Sequence, residues 1–203
     1  HANLGLFDSA ITYIDSALPM LEEFDNIMAV GRSYLIKGRI MNDMGNVTEA
    51  VSYIKDSIEE FQMCDQNWLV LMGNIELAIA YRCDGNHKNT EKTLQKVFKI
   101  GKRLKGFGGH VLSAKIIQAS FNKDKNPDDL YDKLIEYKKN PSSYRDWYFL
   151  SESYANADTK DKAKECIKIS QKLLKERALK NSNKEHQKSM LNNILLHQKI
   201  LNS

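Results

Sequence analysis

MGNVTEAVSYIKDSI (residues 44–58) aligns without gaps with two other stretches of the chain, LGLFDSAITYIDSAL (4–18) and DGNHKNTEKTLQKVF (84–98). The glycines Gly5, Gly45 and Gly85 stand 40 residues apart. Each is followed at fixed distances by a small residue and then by an apolar one: Ala10, Ala50 or Thr90, then Ile14, Ile54 or Leu94. A constant period of this length indicates a repeat architecture in which each copy is one supersecondary unit.

Each copy reads as two amphipathic helices joined by a short turn. The turn glycine supplies the backbone freedom that ends the first helix, and small residues such as Ala10 and Ala50 let the second helix approach it closely. Neither helix can bury its apolar face alone. We therefore expect an all-α, right-handed superhelix of antiparallel helix pairs, with a concave groove lined mainly by the first helix of each pair.

Later copies are less regular. The fourth has Lys125 at the glycine position, and the fifth begins with DWYFLSESYANA. We predict helices at residues 6–24, 27–43, 47–63, 67–83, 88–104, 109–122, 127–139, 144–156, 159–179 and 184–201. The expected organisation is one repeat domain over residues 1–203, with a half repeat (1–25), four repeats (about 26–65, 66–105, 106–142 and 143–180) and a C-terminal capping helix (184–201).

Two expectations concern the ends of the chain. The first residue of the sequence corresponds to about position eleven of a repeat, so the first helix of that copy is missing. We therefore expect a fragment of a longer protein. The last helix should cover the end of the stack, because terminal repeats need a polar outer surface; binding a partner is its alternative role.

Composition narrows the function classes. No window approaches the run of about 18–20 apolar residues that spans a bilayer, so we expect no membrane contact and a cytoplasmic location. Residues 1–100 carry 9 Lys and Arg against 14 Asp and Glu, whereas residues 101–203 carry 21 against 12. The basic C-terminal part lacks aromatic residues from Ala155 onward, which makes nucleic-acid binding the weaker interpretation of its charge.

Motifs for catalysis, metals or cofactors are absent from the sequence. None of the five histidines stands in a metal-binding motif, and the three cysteines are widely spaced. The string GFGGH (106–110) lacks the following Gly-Lys-Ser/Thr of a phosphate-binding loop. We therefore predict a protein that is not an enzyme and that carries no metal or cofactor.

The fifth copy resembles the tetratricopeptide repeat (TPR). The residues that carry the resemblance fit the pattern W-x2-L-G-x2-Y and then A-x3-F: Trp147, Leu150, Ser151, Tyr154, Ala163 and Ile167. Repeats of about 40 residues are similar to those of bacterial regulatory TPR domains and of the Rap and PlcR type of peptide receptors. The resemblance implies a TPR-like fold and a groove that binds a protein segment or short peptide.

Mapping the TPR pattern onto this chain gives a candidate partner-binding groove. Its cations could meet carboxylates of an acidic segment, and its amides could bond an extended backbone. The candidate residues are Arg32, Arg39, Asn42, Arg82, Lys115, Asn122, Arg145, Tyr148 and Asn156.

Two functions agree with this pattern. The first is a protein- or peptide-binding scaffold, the interaction or regulatory domain of a larger protein. The alternative is a peptide-responsive sensor that controls an attached effector, as in the Rap and PlcR type of quorum-sensing and transcriptional regulators. Homo-oligomerisation through the N-terminal half repeat is compatible with either, and the convex or C-terminal surface could bind in place of the groove.

Overall fold

The computed structural model describes residues 1–123, 126–137 and 143–203. Over these residues the chain forms a 3₁₀ turn (Ala2–Leu4) and eleven α-helices, without any β-strand. The helices are α1 (Phe7–Glu23), α2 (Ile27–Asp43), α3 (Val47–Met63), α4 (Asn67–Cys83), α5 (His87–Gly101), α6 (Gly108–Ala119), α7 (Pro127–Glu136), α8 (Tyr144–Asn156), α9 (Lys160–Leu179), α10 (Lys184–Asn193) and α11 (Leu195–Asn202). Consecutive helices pack on each other, and the predicted all-α TPR-like repeat fold is confirmed. None of the described helices is long and apolar enough to cross a bilayer.

The turns repeat at half the sequence period. A residue with positive φ recurs every 20 residues, at Gly5, Asp25, Gly45, Asp65 and Gly85. At Gly45 the N–H donates to the Asn42 carbonyl at 3.0 Å, and the next N–H, of Asn46, donates to the Met41 carbonyl at 2.8 Å. These two bonds satisfy carbonyls at the end of α2, and Asn46 is the N-cap of α3. The predicted glycine turns are confirmed, and the two aspartates mark the turns between copies.

Close helix contact depends on small residues in both helices of a pair. Ala50 in α3 is fully buried, as expected. Opposite it, a Cβ on Gly38 of α2 would lie 2.6 Å from Ile54 Cγ1 and 3.1 Å from the Ala50 carbonyl oxygen. Distances this short leave no room for any larger side chain at residue 38. The contact between α2 and α3 therefore requires glycine at this position.

The core runs along the stack as three apolar clusters. One joins α2, α3 and α4 around Phe61, and the largest joins α4 to α9 around Ile116 and Leu150. The third joins α9, α10 and α11 around Leu174 and Ile200. Because each cluster is shared between neighbouring helices, no single pair carries the whole core.

The prediction of a single capping helix over residues 184–201 is wrong in one respect. This segment forms two helices, α10 and α11, which are separated at Ile194. That residue has φ −83° and ψ 115°, which is extended backbone, and is 4% exposed. The buried His197 ring, with Nδ1 2.7 Å from the Met190 carbonyl oxygen, satisfies one of the carbonyls that the break frees. On the two sides of the break, Met190, Ile194 and Ile200 all belong to the third cluster.

The C-terminal helices also contact the beginning of the chain. Asn193 donates its side-chain amide to the Gly5 carbonyl at 3.0 Å, and Phe7 packs against the third cluster. Elsewhere α5 ends at Gly101, three residues before its predicted end. Lys125 and the predicted helix end at residue 139 lie outside the described residues.

Candidate functional site

The candidate site is the inner face, which we define as the sides of α2, α4, α6 and α8 where their side chains meet. Arg145 of α8 reaches Glu76 of α4, and Arg82 of α4 reaches Glu152 of α8. α4 belongs to the pair α4/α5 and α8 to the pair α8/α9, and the pair α6/α7 lies between them in the chain. The stack therefore curves tightly enough that ion pairs cross the inner face directly.

Glu76 is the centre of the first charged group. The Arg145 guanidinium donates to both carboxylate oxygens, with Nη1–Oε1 at 3.1 Å and Nη2–Oε2 at 3.0 Å. Arg39 Nε lies 4.0 Å from the same carboxylate. Burial would raise the pKa of Glu76, but the charges of Arg145 and Arg39 outweigh it and lower the pKa to about 2. Glu76 is therefore ionised, and Arg145 is held in a bidentate pair.

Asp43 lies near the same group, but its pKa is shifted in the opposite direction from that of Glu76. Burial raises its pKa to about 6, although the charges of Arg145 and Arg39 act in the opposite direction. The side-chain oxygen of Asn42 is buried and has no hydrogen-bond partner among the described residues. His197 of α11 completes this side of the group, with Nε2 2.8 Å from the Tyr144 hydroxyl. Since a carbonyl only accepts, the bond to Met190 places the ring proton on Nδ1 and leaves Nε2 to accept from Tyr144.

Ser120, just after α6, is the centre of the second group. Arg82 donates from Nε to the Ser120 hydroxyl at 3.0 Å and from Nη2 to its carbonyl at 3.2 Å. Asn156 donates its amide to the same carbonyl at 2.7 Å. Helix ends leave carbonyls without intrahelical partners. Arg82 and Asn156 thus stabilise the end of α6, while Glu152 balances the arginine charge at 3.0 Å.

The structure divides the nine predicted groove residues. Arg39, Asn42 and Arg145 lie in the Glu76 group. Arg82 and Asn156 lie in the Ser120 group, and Tyr148 is beside it, where burial and Glu152 raise its pKa.

The remaining three lie elsewhere. Arg32 is exposed, with its guanidinium 5.8 Å from the centre of the Trp68 ring. Lys115 lines a different cleft, between α5 and α7. Asn122 is partly buried just beyond α6.

An open pocket of 240 Å³ lies on the inner face where α4, α6 and α8 meet. We call it the inner pocket. Its apolar walls are Met72 and Ile75 of α4, Ile117 of α6 and Phe149 of α8, and His110 and Ser113 add polar groups. The pocket also borders the Glu76–Arg145 pair. A mostly apolar concavity with a few polar groups is the usual form of a binding site.

Sequence reasoning did not predict the ion pairs of the inner-face arginines, and it missed Glu76. Glu76 carried a usable signal, because it is the only charged residue between Asn67 and Tyr81 in the apolar helix α4. A lone carboxylate among buried residues needs a cationic partner. Ser120 had no comparable signal, since its role depends on where α6 ends.

Comparison with known proteins gives one distant likeness. The chain is 23% identical over 92 residues, or 45% of its length, to tetratricopeptide repeat protein 29 of Macaca fascicularis. The match spans 19% of that relative's own length. No protein-family model and no solved structure matches the chain. Together with the stacked helix pairs, this likeness supports a TPR-like repeat protein of the kind that serves as a protein-interaction scaffold.

Proposed function

We propose that this chain is a protein-interaction scaffold, the interaction or regulatory part of a larger protein, and that its inner pocket holds a segment of the partner. The observation that carries the proposal is the convergence of α4, α6 and α8 on one open, mostly apolar pocket. A pocket of this size suits one large apolar side chain, and such anchors dominate the energy of protein interfaces.

The charges near the pocket determine which charged residues the partner segment can carry beside its apolar anchor. Arg145 and Arg82 already bind carboxylates of their own chain, so they are not free to bind those of a partner. Arg39 is more available, because its side chain is 41% exposed and its nearest carboxylate is 4.0 Å away. We propose a segment with an apolar anchor and one acidic residue placed to meet Arg39.

This function requires no catalysis, metal or cofactor, and we propose a non-enzymatic protein. We also propose a reducing location such as the cytoplasm. Cys64, Cys83 and Cys166 form no disulfide within the described residues, and unpaired thiols persist where the surroundings are reducing.

The test is to fill the inner pocket and to measure peptide selection. A phage-displayed library of random peptides is panned on the unmodified chain and on Ser113→Phe, whose larger side chain would occupy the pocket. Ser52→Phe is the matched control, because Ser52 is exposed on α3, outside the inner pocket. We expect peptides with a large apolar residue to be enriched by the unmodified chain and by the control, but not by Ser113→Phe. Equal enrichment on all three would contradict the proposal.

A peptide-responsive sensor is the second candidate function, and one contact favours it. Asn193, in the C-terminal helices, bonds to the Gly5 carbonyl at the start of the chain. A peptide on the inner face that changed the curvature of the stack would strain this contact and so move the two ends. Solution scattering tests this proposal. A selected peptide at saturation should change the radius of gyration of the chain. An unchanged profile would contradict the sensor function and favour a scaffold that binds without changing shape.

A further inference from the structure

A second surface lies between α3 and α5, with α4 beneath it. It is a cleft of 720 Å³, which we call the outer cleft, bounded by Ile58 of α3, Leu77 of α4 and Ile100 of α5. Its lining residues differ entirely from those of the inner pocket. Any ligand bound there would be additional to the segment proposed for the inner face.

The base of the outer cleft is apolar. Ile58, Val70 and Leu77 line it, and each has less than a tenth of its surface exposed. Ile100 and Leu104 continue the apolar surface toward the end of α5 and are only partly buried. A ligand that reaches this base must therefore present apolar groups.

The rim of the cleft is cationic. Its four cations are Lys55, Lys96, Lys99 and Arg103, against the single acid Glu59. Within residues 1–123, 126–137 and 143–203, none of the four forms an ion pair. The cleft thus has an unneutralised positive rim around an apolar base, which is complementary to a ligand that is both acidic and apolar.

The walls of the cleft favour a helical ligand. On α3 the lining residues are Lys55, Ile58, Glu59 and Gln62, which follow the i, i+3, i+4, i+7 spacing of one helix face. On α5 they are Lys96, Lys99 and Ile100, at i, i+3 and i+4, and Arg103 lies in the turn just beyond this helix. Helical walls offer no free backbone ladder, so an extended peptide would leave its own backbone groups unpaired on the apolar base. A helix satisfies its backbone internally.

From these observations we infer that the outer cleft binds an acidic amphipathic helix of a partner protein, with its apolar side on the base and its carboxylates at the lysine rim. The neighbouring cleft between α5 and α7 is a useful contrast. There three cations, Lys102, Lys115 and Lys133, face two acids, and Lys133 is paired with Asp129 at 2.6 Å. The outer cleft, with four cations against one acid, has the larger excess of positive charge.

The test uses a designed probe: a fluorescein-labelled helical peptide about three turns long, with leucines on one face and glutamates on the rest. Its twin replaces every glutamate with lysine. Fluorescence anisotropy measures the affinity of each for the unmodified chain, for Lys96→Glu/Lys99→Glu and for the control Lys164→Glu/Lys168→Glu. The control removes the same charge from exposed lysines of α9.

We expect the acidic probe to bind the unmodified chain and the control equally, and to bind the cleft variant about tenfold more weakly. Equal weakening by both variants would mean general attraction by net charge and would overturn the inference. So would binding of the lysine twin as strong as that of the acidic probe, or no binding of the acidic probe.

A second measurement uses the unmodified chain, and so does not depend on the folding of a variant. Zero-length carbodiimide coupling joins carboxylates of the acidic probe to lysine amines that they touch. Mass spectrometry should find the links at Lys55, Lys96 and Lys99, whereas links only at other lysines would overturn the inference. Ser113→Phe should leave the probe's affinity unchanged, which separates this test from that of the inner pocket.

Discussion

The inner face and the outer cleft use cationic residues in opposite ways. On the inner face, Arg145 and Arg82 are mostly buried and each is paired with a carboxylate at 3.0 Å. In the outer cleft, Lys96 and Lys99 have no acidic partner among the described residues. A cation contributes to folding where its partner is in the same chain, and it is available for binding where it has none. This contrast predicts effects on the free energy of unfolding that range from large to negligible.

The largest effect should come from Glu76→Ala. Removing this carboxylate leaves the Arg145 guanidinium buried without its partner, and breaking a buried pair in this way costs about 3–5 kcal/mol. Urea denaturation followed by circular dichroism measures the loss. The double variant Glu76→Leu/Arg145→Met, which removes both charges, should recover most of the stability. A loss below about 1 kcal/mol for Glu76→Ala would place the pair among ordinary surface ion pairs.

The next effect is on pH dependence, where Asp43 and the neighbouring His197 of α11 change stability in opposite directions. Burial lowers the pKa of His197 to about 4, so the unfolded state binds more protons between about pH 4 and 6.5 and stability rises with pH. Burial raises the pKa of Asp43 to about 6, so the folded state binds more protons between about pH 4 and 6 and stability falls with pH. In the unmodified chain these slopes should nearly cancel.

Asp43→Asn removes one of the two slopes. The stability of this variant should rise by about 2–3 kcal/mol from pH 4 to pH 6.5, which is the contribution of His197 alone. Midpoints of guanidinium unfolding measured at several pH values would show the slope. In both proteins stability should fall further below about pH 4, as Glu76, whose folded pKa is about 2, loses its charge. A flat profile in Asp43→Asn would show that His197 titrates alike in the folded and unfolded states.

A smaller effect is expected for Asn156→Ala at the Ser120 group. The variant loses the 2.7 Å bond to the Ser120 carbonyl, but Arg82 still donates to that carbonyl. The loss of one partly buried hydrogen bond, to a carbonyl that keeps a second donor, should cost about 0.5–1 kcal/mol. Differential scanning calorimetry would measure it as a small decrease in Tm. A loss as large as that of Glu76→Ala would mean that Asn156 stabilises the end of α6 by more than its single bond to the Ser120 carbonyl.

The smallest effect is expected in the outer cleft. Lys96→Glu/Lys99→Glu removes no ion pair of the described structure, so the free energy of unfolding should change by less than about 0.5 kcal/mol. Chemical denaturation beside the Lys164→Glu/Lys168→Glu control measures the difference. A loss of 2 kcal/mol or more, on the order of a buried contact, would show that these lysines are structural after all and would remove the contrast with the inner face.

Much of the fold was accessible from local patterns. The helices at residues 27–43, 47–63, 67–83 and 144–156 have the predicted bounds, because apolar periodicity and turn residues act within a few positions. The candidate site was less accessible. Arg39, Asn42 and Arg145 do come together, but Lys115 lies in another cleft. Positions read from a repeat pattern assume identical copies, and α6 is five residues shorter than α4.

The sequence by itself determined the repeating helix pairs and their turns, since each is set by residues within one or two turns of the chain. Tertiary structure decided the rest. Whether α4 and α8 would meet through Glu76 and Arg145 depends on the curvature accumulated over several pairs. The break at Ile194 lies within the third apolar cluster, against which Phe7 from the beginning of the chain also packs. Such contacts join positions far apart in sequence, so no local pattern records them.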